Sequence, residues 1–288
     1  MTFGNFEFAV LMAMLVVAVL IGRSIWLGRR RWEPAEWARE MGVELTPRNE
    51  AFLRSYIART RIMRVGGGLI GFFGPAVYSA LAGEPPPWPV DFSLLDALAG
   101  YLVGAVLAEV TVKRPTAKIP AASLVPRDLG GYLPPRLSTA LRVSAAVALV
   151  LVPLYSVLPR RESLAGLDGL PPAVILVPTI LVILVGVELS QRYIVARSRP
   201  LVESDLVQAD DAVRSASLHA LAGAGIALEL LIVSVELLGS ATVSDIQLLR
   251  WTLPWIALVC FVSSLWSWMH VTRPHKWHDW RTGQGAHA

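Results

Sequence analysis

Cysteine is almost missing from this 288-residue chain. Its one copy, Cys260, lies inside an apolar run, so no intrachain disulfide forms and cysteine usage says nothing about redox compartment. Charge is scarce too, at 17% of residues against 54% hydrophobic, with a mean hydropathy of +0.53. That balance excludes an ordinary soluble domain. Enzyme signatures are also missing: the chain has no H-E-x-x-H, no G-x-S-x-G and no G-x-x-x-x-G-K-[ST]. The expectation is a protein that is not an enzyme and carries no cofactor.

Long apolar runs dominate what is there. Seven occur, at about 6–27, 64–82, 93–112, 139–158, 172–192, 217–238 and 251–271. About 20 apolar residues suffice to cross a bilayer as a helix. Lipid cannot satisfy an open backbone, so each run must be a helix or part of a closed barrel. The runs are continuous rather than alternating, which selects helices. The predicted fold is all-α: a polytopic integral membrane bundle of seven transmembrane helices, forming a single membrane domain with a short tail at 272–288.

The net charge of +4 matters less than where the charge sits. Of 26 Lys and Arg residues, 23 fall within 23–64, 113–142, 192–214 and 273–281. The alternate connections hold only Arg160, Arg161 and Arg250. Basic loops stay cytoplasmic, which predicts the N-terminus outside, the C-terminus inside and a place in the plasma membrane. The first ten residues lack Lys and Arg, whereas Arg29-Arg30-Arg31 follows the first run. A cleaved signal peptide has the reverse pattern, so the first helix is expected to be retained. The expected partners are the bilayer and its anionic headgroups, with a cytoplasmic protein or ATPase as a further partner, and no nucleic acid.

A sentence of this sequence is written twice. Leu45-Thr46-Pro47-Arg48-Asn49 returns as Leu124-Val125-Pro126-Arg127-Asp128, and Met63-Arg64-Val65 as Leu141-Arg142-Val143. Pro75 with Tyr78-Ser79-Ala80-Leu81 returns as Pro153 with Tyr155-Ser156-Val157-Leu158. Ordered matches at nearly one offset predict parallel helix–loop–helix repeats, at about 6–82 and 93–158, with a decayed copy at 172–238 and a final helix at 251–271. Each L-x-P-R-[DN] is expected to end a cytoplasmic loop and open the helix that returns outward. In the decayed copy Ser204–Asp210 replaces the motif, and His219 stands near the place of Arg64 and Arg142.

The first basic loop has local structure of its own. Pro34 can open a short helix closed by Gly42, with Trp37 and Met41 on one face. Thr46 can cap a second helix with Pro47 at its first position. Phe52, Leu53, Tyr56 and Ile57 form an apolar stripe there, expected to lie on the inner membrane surface. Arg54, Arg59 and Arg61, with Arg64, Arg127 and Arg142, are candidate contacts for lipid headgroups or a partner. Pro134-Pro135 marks the start of the fourth span. Six of ten tryptophans lie at or beyond Trp251. They fit an aromatic belt. Gly67, Gly71, Gly100 and Gly104 offer close packing of the second and third spans; a flexible gate at Gly66–Gly68 is the other reading.

Ionisable groups at membrane depth mark candidate sites. Glu229 is the deepest, Glu236 lies on the same side of the sixth span, and His219 sits near its start. Glu109 and Glu188 hold similar places near the ends of the third and fifth spans. One reading is a polar track of Glu229, Glu236 and His219 that moves protons or cations. The other is interhelical hydrogen bonding, with Glu229 satisfied by Ser, Thr or backbone and Glu109 and Glu188 paired with arginines. The tail histidines His275 and His278 lack cysteine companions, and no metal site is expected there.

Two resemblances fail on their residues. Arg192 and Arg199-Pro200 loosely match the first motif of phosphatidic-acid-type phosphatases, but that family's histidine motifs are absent. A seven-span, N-out chain resembles rhodopsins, but the seventh run has no lysine. The Ala-, Arg-, Pro- and Trp-rich composition resembles that of polytopic membrane proteins of high-GC bacteria in general. The expected function is a small transport protein or the membrane subunit of a transport or export assembly. A membrane sensor or scaffold using its basic loops is the alternative.

Overall fold

A computed structural model describes residues 33–83, 94–112, 128–156, 173–197, 204–243 and 246–271. Among them are seven α-helices, one 3-10 turn and no strand. The helices are α1 (Pro34–Glu40), α2 (Pro47–Ala82), α3 (Leu94–Val110), α4 (Pro135–Ser156), α5 (Ala173–Ala196), α6 (Ser204–Val243) and α7 (Gln247–Val271), with the 3-10 turn at Leu129–Gly131. Stretches in α4, α5, α6 and α7 are long and apolar enough to cross a membrane. They mark the chain as a membrane protein. The run at 6–27, Arg127 and the tail at 272–288 lie outside the described residues.

Helix starts follow local chemistry. Pro34 begins α1, and Gly42 takes a left-handed φ of 65° just beyond it. At α2 the Asn49 N–H donates to Thr46 Oγ1 at 3.3 Å, and the Thr46 N–H donates to Asn49 Oδ1 at 2.9 Å. This is a reciprocal cap, with Asn in place of the usual Glu. Of the second L-x-P-R-[DN] copy only Asp128 is among the described residues. It leads into the 3-10 turn, and α4 opens later, at Pro135.

Two helices are longer than a bilayer requires. α2 has 36 residues and α6 has 40, against about 20 for a span. Their N-terminal turns pack together at the end of the bundle that carries α1. Trp37, Met41, Leu53, Tyr56 and Ile57 meet Ala209, Ala212, Val213 and Ala216 in one core, with the Trp37 and Tyr56 rings edge to face at 5.7 Å. The Leu53–Tyr56–Ile57 stripe is therefore covered by protein rather than laid on a membrane surface. An apolar stripe does not by itself specify which apolar neighbour will cover it.

α6 is the central helix. It touches α2, α3, α4, α5 and α7, and 78% of its apolar window is buried, against 11% for α5. Small residues permit this. A Cβ at Gly225 would stand 2.7 Å from a Leu141 methyl, and Ala220, Ala222, Ala224 and Ala227 are buried along the same helix. Contacts also set direction. Ser144 meets Glu229 and Tyr132 meets Asp211, so α4 runs with α6. Ala227 meets Ser264 and Ser234 meets Ala257, so α7 runs against it. α2 and α3 cross closely at their glycines, where a Cβ on Gly67 would collide with the Gly100 carbonyl. That is close glycine packing. Large side chains outside this core, such as Ile70 and Val182, are open on the bundle's outer face. Such a surface suits lipid.

Candidate functional site

Glu109 sits at the α1 end of α3, with no exposed surface. Four elements converge there. From α2, the Tyr56 hydroxyl lies 3.3 and 3.2 Å from the two carboxylate oxygens, and Arg64 Nη2 donates to Oε1 at 3.0 Å. From α6, Ser217 Oγ donates to Oε2 at 2.8 Å. From α7, Trp268 places its ring 5.2 Å from the Arg64 guanidinium. Burial, reinforced by the adjacent carboxylate, pushes the Tyr56 phenol well above its ordinary value and keeps it a donor. Arg64 was expected as a headgroup or partner contact. Its side chain is instead 18% exposed and turned onto Glu109, because α6 and α7 cover this position.

Glu188 holds the corresponding place on α5. Arg142 Nε donates to its Oε1 at 2.7 Å; Arg142 is exposed and Glu188 half-buried. Arg54 is exposed and pairs with Glu50 one turn back. Arg59 donates to Thr111 Oγ1 at 3.3 Å, and Arg61 is exposed.

Glu229 is fully buried in α6. Ser144 Oγ of α4 donates to its Oε2, and Oε1 has no hydrogen-bond partner among the described residues. Ser144 also reaches the Leu141 carbonyl, at 2.9 Å. Glu236 is buried two turns along the same side. His219 does not join them. It lies ten residues before Glu229, a rise of about 15 Å, and its Nδ1 contacts the Ser215 carbonyl at 2.8 Å. Leu221 and Ile226 pack between those levels.

A further buried network was missed in the sequence. Arg214 is completely buried and donates to Asp210 at 2.8 Å. It also donates to the carbonyls of Ile194, Val195 and Arg197 at the end of α5, at 3.1, 3.3 and 2.8 Å. A guanidinium suits those terminal acceptors and the negative end of a helix. Arg197 does the same for α3, donating to the carbonyls of Val110 and Val112 at 2.6 and 3.2 Å. The Tyr132 hydroxyl donates to Asp211 at 3.0 Å. The signal was the i,i+4 spacing of Asp210 and Arg214 on an otherwise alanine-rich face.

Among the described residues no three His, Cys, Asp or Glu side chains come together as a metal site. Comparison with protein families, curated proteins and solved structures finds no match to this chain.

Proposed function

We propose that this chain is a seven-span plasma-membrane protein, N-terminus outside and C-terminus inside, that works as a small transport protein or as the membrane subunit of a transport assembly. Glu229 is the group that takes up and releases a proton or cation. One observation carries this reading: a fully buried carboxyl on the most enclosed helix, with one oxygen on Ser144 and the other without a hydrogen-bond partner among the described residues. An acid kept at that depth is costly, and a group poised to exchange a proton is the usual reason to keep one. The matched arginine–glutamate contacts of α2 with α3 and of α4 with α5 support the repeat reading. Both extended helices project at the end that carries the basic loop, in keeping with that end being cytoplasmic.

The test is proton flux into proteoliposomes under an imposed pH gradient, read with an entrapped pH dye. Glu229→Gln is expected to abolish flux, and Glu229→Asp to retain part of it. Flux unchanged by Glu229→Gln would sink the proposal. Orientation is checked by a reporter fused after Ala288, which should read cytoplasmic.

A further inference from the structure

The Arg142–Glu188 pair has a third member. Arg192 follows one turn later on α5, with Nη2 4.0 Å from Glu188 Oε2, while Arg142 Nε holds Oε1 at 2.7 Å. Two guanidinium groups therefore flank one carboxylate, and the cluster is net positive. Both arginines are open, with side chains 62% and 73% exposed. Each guanidinium carries five N–H donors, far more than one shared carboxylate can accept.

The surface leading to this cluster is apolar. On α5, Val182, Val185 and Leu189 are exposed and precede Arg192 on one helical face. On α4, Val143, Val147 and Val150 are exposed and run away from Arg142. Just beyond the cluster, Arg197 lies over the Tyr193 ring at 4.2 Å, an amphipathic ring of the kind favoured at membrane interfaces. An apolar track ending in a cationic fork matches an acyl chain followed by a phosphodiester.

We infer that the Arg142–Glu188–Arg192 rim of α4 and α5 binds the phosphodiester headgroup of an anionic phospholipid. The position matched in sequence on α2 has no such capacity: Arg64 is covered and its carboxylate is shared with Tyr56 and Ser217. Glu188 lies between the two cations and subtracts charge from the site. The inference rests on the chain spanning a bilayer and not on transport through Glu229.

Native mass spectrometry of the full chain in detergent, titrated with phosphatidylglycerol or phosphatidylcholine, tests it. Phosphatidylglycerol should be retained in preference. Replacing both cations (Arg142→Gln with Arg192→Gln) should weaken its binding by about 30-fold, since each interfacial cation contributes about a fivefold effect. Glu188→Gln should tighten binding by about fivefold, a sign that mere loss of folding cannot produce. Millimolar inorganic phosphate should leave the lipid bound. The inference is overturned by equal retention of phosphatidylcholine, by a double variant that binds like the parent, by weaker binding in Glu188→Gln, or by displacement with phosphate. Carbonate extraction of membranes separates this from the bilayer reading, and the flux assay separates it from the role of Glu229.

Discussion

Arg64 in Met63-Arg64-Val65 and Arg142 in Leu141-Arg142-Val143 stand in similar short sequences, and each meets a glutamate of the following helix. Their surroundings are opposite. The Arg64–Glu109 pair is closed over by α6 and α7 and shares its carboxylate with Tyr56 and Ser217. The Arg142–Glu188 pair looks outward and gains a second cation in place of neutral donors. Sequence position set the pairing in both cases. The cover supplied by the central helix set the use: an internal tie in one, an open surface in the other.

The sharpest way to break this contrast is to remove one cation at a time. Arg64→Met leaves Glu109 buried without its counter-charge and should lower stability in detergent unfolding by about 3–5 kcal/mol. Tyr56→Phe takes one donor from the same carboxylate and should cost about 1–2 kcal/mol. It also has a pH signature. The folded phenol holds its proton above the pH at which an unfolded tyrosine loses it, so stability should fall as pH rises beyond about 10. In Tyr56→Phe that alkaline slope should be reduced, as read by unfolding midpoints against pH. Arg142→Met, the counterpart of the first variant, should cost less than about 1 kcal/mol, and the loss should shrink in high salt. Arg54→Gln disturbs an exposed pair within one helix and should change stability by no more than about 0.5 kcal/mol. Equal losses from Arg64→Met and Arg142→Met would erase the distinction.

Much of the helical layout was legible in advance. The runs at 93–112, 139–158, 172–192 and 251–271 match α3, α4, α5 and α7 closely, because apolar length is a strong and local signal. Pro34, Thr46-Pro47 and Pro135 sit where helices begin, because capping is also local. The runs at 64–82 and 217–238 marked only parts of α2 and α6. Their polar first turns are held helical by tertiary contacts that hydropathy does not register. For the site, the choice of glutamates was readable and the partners were half so. Glu109 was expected to meet an arginine, but the Tyr56 and Ser217 donors lie 53 and 108 residues away in sequence. Such a meeting depends on how helices pack. Arg214 went unnoticed because a charged residue beside a basic loop reads as surface until a neighbouring helix end is seen to need it.

The central place of α6 bears on how the protein is made. Its buried partners on α2, α3, α4 and α5 all precede it in the chain, and only α7 follows. When α6 leaves the ribosome, Ser144 is already available to Glu229, Glu109 to Ser217, and the end of α5 to Arg214. The helix with the most buried polar side chains is thus synthesised after most of the groups that satisfy them. A chain halted after Val243 would still offer α6 those contacts. A rearranged gene placing α6 first would send Glu229 and Glu236 toward lipid with no helix yet present to receive them.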